Sequence, residues 1–297
     1  MSFRNRVSLR DSMRGIVEEP LLQLVPKRFD YIGNVAVISI PPELAAYKKV
    51  IASKLFSVRG NTQAVLNKVS KLEGEHRIAD FEVLLGESTE TIHRENGYIY
   101  KLDIKKVFFN PRLYSERKRV TSKIKSGERI IIPFAGVGPF VLPAAGKGAR
   151  VYAIEINPEA CACLKENIRI NRLEEQITVI QEDFENAFRN ENIIHTENGL
   201  SAWVRPRNGK TEGLQIPESG FDRAIVPTPY GMDHFLERIS KLVKKGGYIH
   251  FYTFKAESQI PGRIDEYKRM GLEVEFYRRA GNVAPGICRW GFDLIKK

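Results

Sequence analysis

The chain reads as an α/β protein, a mostly parallel, doubly wound sheet preceded by a smaller α+β domain. Three observations predict this. From residue 128 onward, apolar strand-like runs alternate with helical ones, as in βα units built on a parallel sheet. Before residue 110, short β-branched runs joined by polar turns surround a single helix. The length, 297 residues, suits two domains at about 150 residues each.

Residues 1–26 mix charges with one apolar stretch, 21–25, and read as an arm. YIGNVAVISI, 31–40, predicts one strand, stopped by Pro41 and Pro42. PPELAAYKKVIASKLF predicts a helix, with proline at its start and Glu43 in its first turn. AVLNKV, FEVLLG, TETIHREN and GYIYKLDIKKVFF follow as short strands. Residues 27–110 thus read as a small α+β module. PRLYSERKRVTSKIKSG is a basic helix opening the second domain, 111–297.

In that second domain ERIIIPF is a strand, followed by a glycine-rich turn and a helix. RVYAIE, QITVIQED, GFDRAIV, YIHFYTF, LEVEFYRR and CRWGFDLIKK are the remaining strands. PEACACLKENIRINRL and HFLERISKLVKKGG are helices, the latter with a glycine stop. Residues 190–219 are a polar insertion between two core strands, long enough to be either functional or disordered. It carries Trp203, Arg205, Arg207 and Lys210.

Hydrophobic residues are 42% and charged residues 28% of the chain. That is ordinary globular usage, and excludes a disordered chain, a collagen repeat and a disulfide scaffold. No apolar run approaches the roughly 18–20 residues of a membrane span. The first fifteen residues lack the apolar core of a signal peptide. Three cysteines fit a reducing, cytoplasmic setting. The formal net charge of +11 points to a polyanionic partner, most commonly nucleic acid.

Much of that charge is local. Residues 101–129 hold ten Lys and Arg against three Asp and Glu, a net +7. Arg112, Arg117, Lys118, Arg119 and Lys123 lie there and can track phosphates. Phe108, Phe109 and Tyr114 are interleaved, and Phe108 can stack on a splayed base. The ordinary alternative is a solvated helix face.

A cofactor pocket is outlined by three features in order. FAGVGPF, 134–140, joins a strand to a helix, with Gly136 and Gly138 allowing a tight turn and close backbone approach. Glu155, about 20 residues on from the turn, ends the next strand and can accept from ribose hydroxyls. Asp183 follows the third strand and can accept from the adenine amino group. A dinucleotide fingerprint needs a third glycine, and Val141 stands there. With a late strand ending in Pro227-Thr228-Pro229-Tyr230, S-adenosylmethionine fits best. The pocket takes in Phe134, Ala135, Gly136, Gly138, Phe140, Glu155, Ile156, Asp183, Phe184, Pro227 and Pro229.

KLDIKKVFFNPRLYSERKRV, FAGVGPF and YAIEINPEACACLKENIRIN together resemble the archaeal and eukaryal tRNA guanine-37 N1-methyltransferases. IGNVAVISIPPELAAYKK and LEGEHRIADFEVLLGESTETIHRENG resemble that family's middle domain, so the likeness spans residues 26–255. The family's N-terminal tRNA-elbow domain has no counterpart in these residues. The resemblance implies a Rossmann-like class I methyltransferase, S-adenosylmethionine as cofactor and the tRNA anticodon stem-loop as partner. A monomer with no metal and no membrane contact is expected. Guanine N1 carries a proton and must lose it to a base while a cation stabilises O6. The resemblance places the base on Glu116 of NPRL-x-x-ER and the cation on Arg77 of EGE-x-R. It gives Arg112 and Arg117 the task of holding the site and the RNA. Otherwise Glu116 is simply an i,i+3 ion-pair partner of Arg119.

Two positions depart from the family. Its Asp in D-x-F-A-G is missing, since Ile132 and Pro133 precede Phe134. Its N-x-P asparagine is Pro227. These departures keep two alternatives open: a wyosine-pathway paralogue, which transfers an aminocarboxypropyl group or methylates a wyosine precursor, and a silent RNA-binding protein on the same fold. The aminocarboxypropyl transferases lack the Arg of NPRL, so Arg112 favours methyl transfer.

Overall fold

A computed structural model describes residues 8–70, 79–188, 193–195, 201–203, 214–216 and 220–297. The chain divides into two compact units, Met1–Pro111 and Arg112–Lys297. Among the described residues no helix is long and apolar enough to cross a membrane.

The first unit opens with α1 (Leu9–Ser12), whose N-cap Ser8 accepts from the Asp11 amide. Strands β1 (Asp30–Ile32), β2 (Val35–Ile38), β3 (Ala64–Lys68) and β4 (Phe81–Leu85) form one sheet in that order. Helix α2 (Lys48–Val58) joins β2 to its parallel neighbour β3. The expected arm is not an arm: Leu9, Met13, Val17, Leu22 and Val25 are buried with Leu44, Ile51 and Leu55 in the unit's core. Burying such side chains stabilises by about 1.5–3 kcal/mol each, which secures a segment rich in charge but spaced for one apolar face.

The expected strand 31–40 is a hairpin, β1 and β2 pairing antiparallel. Gly33 turns it at φ +58°, and a Cβ there would collide with the Thr91 side chain and the Ile92 carbonyl. The Gly33-Asn34 pair was a two-residue turn signal hidden inside a β-branched run. Strands β5 (Glu90–Glu95) and β6 (Tyr98–Asp103) form a second hairpin. Its turn residues Asn96 and Gly97 both have positive φ, 51° and 88°.

The second unit begins at a 3-10 turn, Pro111–Leu113, that runs into α3 (Tyr114–Ser122). Then follow β7 (Arg129–Pro133), α4 (Val141–Ala145), β8 (Arg150–Glu155), α5 (Pro158–Asn171) and β9 (Ile177–Gln181). The polar insertion, 190–219, contains a meander of β10 (Ile193–His195), β11 (Ser201–Trp203) and β12 (Leu214–Ile216). The side chains of Trp203, Arg205, Arg207 and Lys210 lie outside the described residues.

The chain returns through β13 (Phe221–Val226), α6 (Phe235–Leu242), β14 (Val243–Lys255), α7 (Ile260–Arg269), β15 (Leu272–Ala284) and β16 (Ile287–Lys296). The expected glycine stop of α6 lies elsewhere: the helix ends at Leu242, and Gly246 and Gly247 lie within β14. Helix α7 had no counterpart in the sequence reading.

The seven-stranded sheet runs β15-β16-β14-β13-β7-β8-β9. Its four pairings from β14 to β9 are parallel, and β16 and β15 add antiparallel. The order reverses beside β7, and in open α/β sheets that switch point is where ligands bind. Isoleucines 130–132 of β7 are fully buried, as a central parallel strand requires.

Candidate functional site

The turn after β7 sits at the switch point. Phe134 has φ +55°, unusual for a side chain of that size. Its ring packs against Phe184 and Phe235 at centroid distances of 6.2 and 5.3 Å. The two glycines differ in purpose. A Cβ on Gly136, at φ +55°, would meet nothing within 4 Å, so the chain is open there. A Cβ on Gly138 would strike Leu164 Cδ1 at 2.6 Å, so Gly138 serves helix packing.

Glu155 is fixed by the turn it faces. Its Oε2 accepts from the Gly136 amide at 2.7 Å and its Oε1 from the Asn157 amide at 2.9 Å. Asn157 in turn caps α5, accepting from the Glu159 amide at 2.9 Å. Each carboxylate oxygen has more than one acceptor site, so the anchored group can still take ribose hydroxyls. Asp183 Oδ1 accepts from the amides of Glu185 and Asn186 at 2.8 and 3.3 Å. Its Oδ2 has no hydrogen bond among the described residues, which leaves an acceptor for an exocyclic amine. The acceptor set therefore fits an adenosine moiety.

Ala135, Phe140 and Phe184, named for the pocket, are buried core residues, with Phe140 packed on Tyr252 at 5.8 Å. Ile156, Pro227 and Pro229 are half-buried. Ile132 is fully buried and Pro133 ends β7, so no acid enters from that side.

Glu116 lies in the first turn of α3 and is 4% exposed. Its Oε1 accepts from Arg119 Nε and Nη2 at 2.9 and 2.6 Å, and from the Tyr252 hydroxyl at 3.1 Å. Oε2 has no hydrogen bond among the described residues, and Arg278 Nε lies 3.8 Å from it. Gly291 makes room for this group, since a Cβ there would stand 3.0 Å from Oε1 and 3.1 Å from the Tyr252 ring.

Arg119 spans two carboxylates. It also donates to Asp293, from Nη1 at 2.5 Å and Nη2 at 3.0 Å. Fully buried Asp293 further accepts from Lys123 Nζ at 2.7 Å and bonds His250 Nδ1 at 2.6 Å. His250 Nε2 faces Arg223 Nη1 at 2.7 Å. Arginine can only donate, so Nε2 accepts and Nδ1 carries the proton given to Asp293. Arg223 closes the chain on Glu128, at 2.8 and 2.9 Å. Burial holds His250 below its ordinary pKa, and Arg223 and Arg119 add to that. Burial opposes ionisation of Asp293, but bonds from His250, Arg119 and Lys123 hold it far below the usual carboxylate range. Burial and the nearby Glu116 push the Tyr252 hydroxyl well up.

The expected RNA-binding helix is thus largely spent on its own fold. Arg117 is 1% exposed, so it is not a surface group that tracks phosphates. Arg119 and Lys123 are occupied by Asp293. Arg112 and Lys118 are exposed. Phe108, in the other unit, is 41% exposed. Arg77, expected as the cation at O6, lies outside the described residues.

The first unit has a polar groove of about 750 Å³. Tyr31, Asn34, Arg59, Gln63, Arg94 and Lys101 help line it. The Arg59 guanidinium carbon lies over the Tyr31 ring, 4.0 Å from its centroid. Neither Arg59 nor Arg94 has an ion pair among the described residues.

Tyr252, His250, Asp293 and Arg278 were missed. A signal was present for two of them: His250 and Asp293 interrupt the apolar runs YIHFYTF and GFDLI, and buried charge is rarely unpaired.

Comparison with known proteins shows two family matches. Residues 91–197 match the TRM5/TYW2 methyltransferase domain and residues 9–89 the TYW2 N-terminal domain. The tRNA (guanine(37)-N(1))-methyltransferase Trm5b of Pyrococcus abyssi is 37% identical over 89% of this chain and 73% of its own. The crystal structure of Trm5b from that organism has a TM-score of 0.78 at 35% identity, covering 96% of this chain and 80% of that one. The tRNA(Phe) (4-demethylwyosine(37)-C(7)) aminocarboxypropyltransferase of Pyrococcus horikoshii is 31% identical over 96% of this chain and 95% of its own. A structure of P. horikoshii TYW2 in complex with MeSAdo has a TM-score of 0.70 at 29% identity, covering 97% of each chain.

Proposed function

The chain belongs to the TRM5/TYW2 family of S-adenosylmethionine-dependent methyltransferases, and on that premise we propose that it methylates N1 of guanosine 37 in tRNA. The observation that carries this is Glu116. Its carboxylate is anchored through Oε1 and has Oε2 without a hydrogen bond among the described residues. A fixed carboxylate with one open oxygen is what removal of the N1 proton requires. S-adenosylmethionine supplies an electrophilic methyl on a sulfonium, which departs as a neutral thioether. Glu155 and Asp183 hold the nucleoside end, and Gly136 leaves the space for it. Arg112 and Lys118 contact the RNA, and Arg77 remains assigned to guanine O6.

The competing activity is aminocarboxypropyl transfer. The match to the TYW2 N-terminal domain over residues 9–89 favours it, and Arg112 of NPRL speaks for methyl transfer. Incubation with unmodified tRNA and S-adenosylmethionine, followed by nucleoside mass analysis, separates the two. One methyl gained on guanosine is expected. An aminocarboxypropyl group on a wyosine precursor, with no methylguanosine, would overturn the proposal, and so would binding without product.

We further assign the groove of the first unit to the RNA backbone. Arg59 and Arg94 supply its unpaired charge, and Asn34 and Gln63 supply amides for ribose. Arg59→Gln and Arg94→Gln are each expected to raise KM for tRNA. Each should lower the slope of log affinity against log salt by about 0.7–0.9. An unchanged slope in both would remove the groove from the RNA interface.

A further inference from the structure

We propose that Arg278 is a second catalytic cation, contacting O6 of the target guanine as N1 loses its proton. It sits on β15, the edge strand of the large sheet. Its Nε is 3.8 Å from Glu116 Oε2, close enough for charge attraction and too far for a hydrogen bond. The side chain makes no other ion pair or hydrogen bond among the described residues. It is 47% exposed beside a carboxylate that is only 4% exposed. Arg278 therefore stands on the solvent side of the open oxygen.

That position has a chemical consequence. A guanine that gives its N1–H to Oε2 brings O6 in on the adjacent ring atom. The guanidinium next to Oε2 then has a new acceptor within a small side-chain movement. As the proton moves from N1 to Glu116, electron density builds on N1 and O6. The N1 lone pair then takes the methyl, the carbon–sulfur bond breaks toward sulfur, and Glu116 later releases the proton to water. A donor at O6 is worth most during that interval, when the negative charge exists. O6 has two lone pairs, so Arg278 and Arg77 need not compete.

Neighbours fix the strand at this point. Phe276, two residues before Arg278, packs beneath Arg119 and Lys123, whose charged groups lie 5.1 and 5.6 Å from its ring centre. Tyr277, between them, stacks on Phe292 at 5.5 Å and 18°. Arg278 thus projects from a strand pinned on both sides.

The inference rests on guanine N1 as the target, and the test keeps the two apart. Wild-type protein and Arg278→Gln are each assayed on tRNA with guanosine 37 and with 6-thioguanosine 37. Wild type making no N1-methylguanosine would refute the functional proposal itself. With wild type active, Arg278→Gln should lower kcat on the order of 10²-fold and Arg278→Lys should recover part of it. The decisive result is coupling. Replacing oxygen by sulfur should slow the wild type by a larger factor than the Gln variant, which keeps only the Arg77 contact at O6. Independent, multiplying penalties would overturn the proposal. So would a rise in tRNA Kd with a shallower salt slope and unchanged kcat, which would make Arg278 a phosphate contact.

Discussion

Glu116→Gln is expected to lower methyl transfer on the order of 10²–10⁴-fold, the usual worth of a positioned general base. The substitution is nearly isosteric, and its amide oxygen can still accept from Arg119 and Tyr252 at Oε1. Folding should therefore survive, with a melting temperature within a few degrees of wild type. Affinity for tRNA should stay within about threefold, because Glu116 is buried and offers no phosphate contact. Only Oε2 changes in kind, from an acceptor to a donor that cannot take the N1 proton. Single-turnover rates at saturating tRNA and cofactor measure this directly. Full turnover in the variant would end the assignment of Glu116 as the base. A large loss of affinity with unchanged single-turnover rate would make it a binding group instead.

The parallel half of the large sheet was legible because buried parallel strands are continuous apolar runs and each is followed by a helix. Residues 129–133 and 150–155 show this plainly. The turn at 134–140, Glu155 and Asp183 were legible for a related reason: local backbone demands and strand ends mark them. What was not legible depends on contacts distant in sequence. Charge counting over 101–129 treated ten cations as surface. Asp293, more than 160 residues later, claims Arg119 and Lys123, and no local pattern shows that. The arm failed likewise, since Met13 and Val25 gain burial only from a core built by residues 36–65. The alternative once set beside the catalytic role of Glu116, an ion pair with Arg119, is also present. The two are compatible, because the pair engages Oε1 and leaves Oε2.

Asp293→Asn is expected to cost about 3–5 kcal/mol, as breaking one partner of a buried charge network does. Arg119 would keep Glu116 and Lys123 would keep Glu275, but both would lose the buried carboxylate they share. At this chain length that corresponds to a fall in melting temperature on the order of 10 °C. The pH dependence carries a distinct signature. Asp293 ionises far more readily folded than unfolded. Its contribution is therefore fully present above the unfolded value of about 3.9 and drains away as pH falls below it. His250 is held neutral when folded. Its depressed pKa means the unfolded chain binds the extra proton first, so stability starts to fall below about pH 6.5. Wild type should lose stability in two stages, one beginning near pH 6.5 and one below about pH 4. In Asp293→Asn the lower stage should shrink while the upper one persists. Denaturant unfolding from about pH 7.5 down to about pH 2 reads both. An unchanged lower stage would show that Asp293 is not the paired carboxylate of the network.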